Sequence, residues 1–102
     1  MRVNLPFKRM FKDTMLNNLK TCTSRTKKYG SPGDTFDIFG ATFKITAVES
    51  KKLEDVANHL YRFEGFAHPS GFIFIWQRIH PNAGYRPEQE VYVHWFQKIR
   101  EN

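Results

Sequence analysis

Lys20, Thr21, Cys22, Thr23, Ser24 and Arg25 follow one another without a break, which places two cations, three hydroxyls and the chain's one thiol in a single segment. A planar guanidinium at one end can orient a carbonyl, ribose or phosphate, and an ammonium at the other adds a second positive charge. The hydroxyls between them are inert at neutral pH without a nearby base, so any attack from Thr23 needs a proton acceptor brought from elsewhere. The segment therefore suits an anionic or nucleotide-like ligand. Cys22 beside these cations reads either as an activated thiolate or as a small buried hydrophobe, and strand alternation, which turns it away from Thr23, favours the second.

The surrounding charge agrees. Residues 1 to 30 contain eight basic side chains against the single acid Asp13, whereas the other 72 residues nearly balance, so the net charge of +6 belongs to the N-terminal third. Such a face attracts phosphates. The lone Cys22 excludes an internal disulfide, and His59, His68, His80 and His94 are too scattered for a metal site, so neither a metal nor another cofactor is expected. Cysteine usage points to a reducing compartment and a cytoplasmic protein. Met1 to Lys12 is interrupted by Arg2, Lys8, Arg9 and Lys12, so the expectation is no signal peptide and no membrane anchor. A chain of 102 residues holds one core, hence a single domain over 1–102, expected to be a monomer or weak dimer.

The elements that must position the segment can be read from periodicity. Phe7, Phe11, Met15 and Leu19 recur every four residues and predict a short amphipathic helix from Lys8 to Asn17, ended where Asn18 tolerates a left-handed backbone. A strand over Thr21 to Arg25 follows, with Thr21, Thr23 and Arg25 on one face and Lys20, Cys22 and Ser24 on the other. Lys20 must then act from the turn before the strand. After the turn cluster Tyr29 to Asp34, a hairpin about Gly40-Ala41 would set Phe39 opposite Thr42, Ile38 opposite Phe43, Phe36 opposite Ile45, Asp37 opposite Lys44 and Thr35 opposite Thr46. Leu53, Val56, Ala57, Leu60 and Tyr61 predict a helix that starts near Ser50 and stops at Gly65. Phe72, Ile75, Trp76 and Ile79 predict another between Pro69 and His80, and Gln89 to Ile99 alternates as a closing strand. The class is α+β, with two or three helices flanking a small, mostly antiparallel curved sheet or barrel.

Asn18 to Arg25 resembles the Gly-x-Lys-x-x-Thr-x-Arg motif of the ASCH domain family, matching at Lys20, Thr23 and Arg25 and substituting Asn18 for the usual Gly. Pro32-Gly33-Asp34 before a strand, Glu64-Gly65-Phe66 after a helix and the closing aromatic strand extend the resemblance along most of the chain. It implies a PUA-like fold, a compact curved β-barrel with flanking helices. It also implies one of two activities: binding of RNA, or, as in a small bacterial branch of the family, hydrolysis of the amide of N4-acetylcytidine. Carried over by position, the catalytic set of that branch is Lys20, Thr23 and Glu64, and the partner is a modified nucleoside or RNA. Thr23 would attack, Lys20 would take its proton, and Glu64, at a helix end that favours a protonated carboxyl, would assist its return. The base role requires Lys20 as a free amine, a state that burial and the Arg25 cation both favour. Arg25 would position the substrate, and Tyr29 and Phe66, which lie in loops near the motif, would stack on a base.

Overall fold

The computed structural model describes residues 1–102. The first turn of the N-terminal amphipathic segment is 3₁₀ (Arg9–Phe11) and runs into α1 (Lys12–Leu16), which buries Phe11 and Met15. Asn18 adopts φ 61°, the left-handed conformation that turns the chain out of the helix. Because the helix has already ended, Leu19 does not continue its apolar stripe and is 62% exposed.

Four strands form one antiparallel sheet: β1 (Cys22–Arg25), β2 (Thr35–Ile38), β3 (Ala41–Lys52) and β4 (Glu90–Glu101), in the order β1-β4-β3-β2. Bulges between Thr42 and Phe43 and between Ile45 and Ala47 break the β3–β4 register, bending the long central pair into a curled half-barrel. The hairpin forms two residues out of the expected register. Its turn is Phe39-Gly40, with φ of 55° and 77°, and it pairs Ile38 with Ala41, Asp37 with Thr42, Phe36 with Phe43 and Thr35 with Lys44. Positive φ at both central residues makes this a type I′ turn, whose twist matches that of the strands. A slip of two preserves the alternation, so the apolar face stays inward.

The segment after β3 also departs from expectation. β3 continues through Lys52, paired to Glu90 of β4, so the helix starts at Leu53 rather than near Ser50. It comprises α2 (Leu53–Asp55) and a π-helical turn (Val56–Leu60), and it ends at Gly65, whose φ is 99°. There Phe66 N–H donates to Tyr61 O at 3.0 Å and Gly65 N–H to Arg62 O at 3.0 Å, the paired bonds of a Schellman cap. Helix α3 (Pro69–Ile79) begins on Pro69 and stops before His80-Pro81, as its spacing predicts.

Alternation along β4 divides the interior. Phe96 joins Phe11, Met15, Phe36, Phe43 and Ile45 in one apolar cluster, whereas Val91 and Val93 join Cys22, Leu53, Val56, Phe72 and Trp76 in a second. Phe66 packs against both. The seam between the two clusters holds the buried polar residues of the molecule's cavity.

Candidate active site

Two N–H groups at the start of β1 bring the site together. Thr21 N and Cys22 N both donate to the Phe63 carbonyl, at 2.8 and 3.1 Å, which fixes the end of the π-helical segment beside the motif. Glu64, the next residue, therefore lies against Lys20. The lysine stem reaches from the turn before β1, as alternation requires, and Nζ donates to the main-chain carbonyl of Glu64 at 2.9 Å and to its Oε1 at 3.1 Å. Lys20 is 2% and Glu64 3% exposed. An ion pair this far from water holds only because both partners are further satisfied: Nζ also sits 4.4 Å above the Phe11 ring, and Oε2 accepts a 2.6 Å hydrogen bond from Ser24 Oγ.

Arg25 forms the opposite side of the site. Its Nε donates to Thr23 Oγ1 at 3.1 Å, its Nη2 donates to the Pro6 carbonyl, and its guanidinium lies over Phe7 (4.8 Å) and Tyr29 (5.4 Å). Burial pulls its pKa down from the ordinary value. The clamp accounts for two of the five guanidinium N–H groups. Tyr29 is anchored in turn by its N–H, which donates to His94 Nε2 at 3.0 Å. Nε2 is thus the acceptor, Nδ1 carries the proton toward Tyr92 O at 3.1 Å, and burial lowers the His94 pKa, in keeping with a neutral ring.

All six residues singled out in the sequence, Lys20, Thr23, Glu64, Arg25, Tyr29 and Phe66, line one cavity of about 460 Å³. Sequence reasoning missed its far wall, where Phe72, Ile75, Trp76 and Ile79 of α3 meet His80, whose ring stacks on Trp76 at 4.0 Å. It also missed Ser24. Strict alternation turns Ser24 away from Thr23, yet β1 is an edge strand, and four consecutive residues, Thr23, Ser24, Arg25 and Thr26, border the cavity as it passes the strand's end. Two hydroxyl residues running into the motif arginine were the available signal. Cys22 takes the other course, fully buried in the second cluster, where burial raises its pKa well above the usual thiol value and leaves it inert. No group of three or more His, Cys, Asp or Glu residues is arranged to hold a metal ion, and no helix is long and apolar enough to cross a membrane.

No family model and no curated protein matches the sequence. Solved structures do match the fold. An ASCH domain from Lactobacillus crispatus JV V101 superposes with a TM-score of 0.61 at 16% identity, over 87% of this chain and 70% of that one. A protein from Enterococcus faecalis V583 gives 0.67 at 14% identity, over 91% and 72%. A Pyrococcus furiosus protein solved by NMR gives 0.66 at 12% identity, over 98% and 99%. The sheet order, the helices at its flanks and these likenesses together establish that the chain has the small α+β, PUA-like fold of an ASCH domain.

Proposed function

We propose that this chain is an amidohydrolase that removes the acyl group from an N4-acylated cytidine or a similar small amide. Lys20, Thr23 and Glu64 form its catalytic set, and Arg25, Tyr29 and Phe66 bind the substrate. The observation that carries the reading is convergence: an ammonium and two hydroxyls from one segment and a carboxylate from about forty residues further on, all nine-tenths buried or more, border one cavity. Its volume suits a small molecule, and its lining of apolar and aromatic residues around a few polar groups fits a base and an acyl chain. Arg25 supplies donors for the acyl or ribose oxygen, and the Lys20–Glu64 contact lets a proton pass within a single hydrogen bond. The motif resemblance gives the attack to Thr23.

Incubation with N4-acetylcytidine should release cytidine, followed by chromatography. Lys20→Ala, Thr23→Ala and Glu64→Ala should each abolish the release; ordinary turnover in all three variants would remove the assignment.

A second reading, RNA binding without catalysis, draws on the exposed Lys8, Arg9, Lys12, Lys27 and Lys28, of which Lys8 also borders the cavity. It requires that affinity for a short RNA fall steeply as salt rises, because several phosphates would be neutralised at once.

A further inference from the structure

We infer that Ser24, rather than Thr23, supplies the attacking hydroxyl of this reaction, and that Thr23 binds the acyl oxygen. The inference rests on the hydrolase reading and reassigns roles within it: Ser24 takes the attack from Thr23, and Glu64 takes the base role from Lys20. Ser24 Oγ donates to Glu64 Oε2 at 2.6 Å, the relation of a nucleophile to its base, and the base is oriented by a third group because Lys20 holds Oε1 and the Glu64 carbonyl. The hydrogen bond of Thr23 runs the other way. Its Oγ1 accepts from Arg25 Nε at 3.1 Å, so one lone pair is already engaged and its own O–H is free to donate. A hydroxyl donor beside a guanidinium stabilises an oxyanion better than it generates a nucleophile. Both side chains are shielded from bulk water, Ser24 at 7% and Thr23 at 5% exposure, and both border the cavity.

The steps balance as follows. Ser24 Oγ bonds to the acyl carbon while its proton moves to the Glu64 carboxylate, and the carbonyl oxygen, now negative, is met by Thr23 O–H and Arg25. The C–N bond then breaks, the Glu64 proton goes to the leaving nitrogen, and the acyl group remains as an ester on Ser24. Water adds to that ester, giving its proton to Glu64. Collapse releases the carboxylic acid, and Ser24 recovers the proton from Glu64. Lys20 stays an ammonium throughout and is a positioning residue for the carboxylate.

The test is acyl trapping. Wild-type protein is mixed with p-nitrophenyl acetate, quenched in acid, digested and mapped by mass spectrometry, a measurement that needs no variant to fold. The expected result is an acetyl group on Ser24. With N4-acetylcytidine, Ser24→Ala should lower cytidine release by about 10³-fold or more, and Thr23→Val by about 10²-fold with the acetyl still on Ser24. Glu64→Gln should prevent labelling while Ser24 is intact. Acetyl on Thr23, or Ser24→Ala turning over within about tenfold of wild type, overturns the inference and leaves a Thr23 hydrolase standing. A wild-type protein that neither captures acetyl nor cleaves any N4-acylcytosine removes the hydrolase reading and this inference together.

Discussion

The hairpin end of the sheet and the seam beside β1 are both buried, but they bury different things. At the hairpin end Phe36, Phe43 and Phe96 interlock, with ring centroids 5.3 to 5.6 Å apart, around Ala41 and Ile45. At the seam the residues removed from water are Lys20, Thr23, Ser24, Glu64 and His94. Apolar burial stabilises in proportion to area, whereas a buried ion pair returns little beyond its desolvation cost. A fold held by apolar burial alone would resemble the hairpin end throughout, and the seam, where the proposed chemistry is placed, departs from it.

That contrast can be broken by substitution. Phe43→Ala should be the most damaging change, costing about 3–5 kcal/mol in urea denaturation, with cytidine release per folded molecule unaffected. Lys20→Ala should cost nearly as much, about 3–5 kcal/mol, because it strands the Glu64 carboxylate. The pair Lys20→Met with Glu64→Leu should instead lie near wild-type stability or up to about 1–4 kcal/mol above it, while catalysing nothing. A double variant as unstable as Lys20→Ala would mean that the ion pair holds the fold together, contrary to the comparison.

His94 gives a smaller effect with a defined sign. An unfolded histidine takes up a proton as pH falls through about 6.5, while the buried ring, its pKa lowered, resists. The unfolded state then binds more protons, so the His94 contribution is complete above that pH and is lost as acidification proceeds toward the folded value. His94→Gln should cost about 1–3 kcal/mol by disturbing the acceptor of Tyr29 N–H, and it should flatten the decline in stability between about pH 7 and 5. An unchanged slope would show that other groups govern it. The smallest effect belongs to Asn18 at φ 61°: Asn18→Gly should shift stability by less than about 0.5 kcal/mol, and Asn18→Ala should lower it by about 1 kcal/mol. Equal values for the two would mean that the left-handed backbone at position 18 carries no strain for an L-residue.

Local signals carried much of this fold into view. The alternation of Phe36, Ile38, Phe43 and Ile45 gave the correct faces, and Asn18, Gly65 and Pro69 gave three helix boundaries. What failed depended on distant partners. Lys51 and Lys52 look like the wet start of a helix, and only their pairing with Val91 and Glu90 of β4 keeps them in a strand. The hairpin register turned on Phe39 accepting a positive φ that its type disfavours. In the site, the motif located Lys20, Thr23 and Arg25, but the hydrogen bond from Ser24 depends on where Glu64 arrives from 40 residues away, and the α3 wall depends on how that helix packs.

Gly65 does more than cap its helix. A methyl group built there would sit 3.2 Å from the Lys20 Cβ, in a backbone conformation that L-residues rarely adopt. A side chain at position 65 would therefore press on the lysine stem just where residue 64 grips its ammonium with both carbonyl and carboxylate. Randomising position 65 under selection for turnover should return glycine almost alone, and survivors of a selection for solubility only would be a wider set, their lysine displaced and their cavity silent.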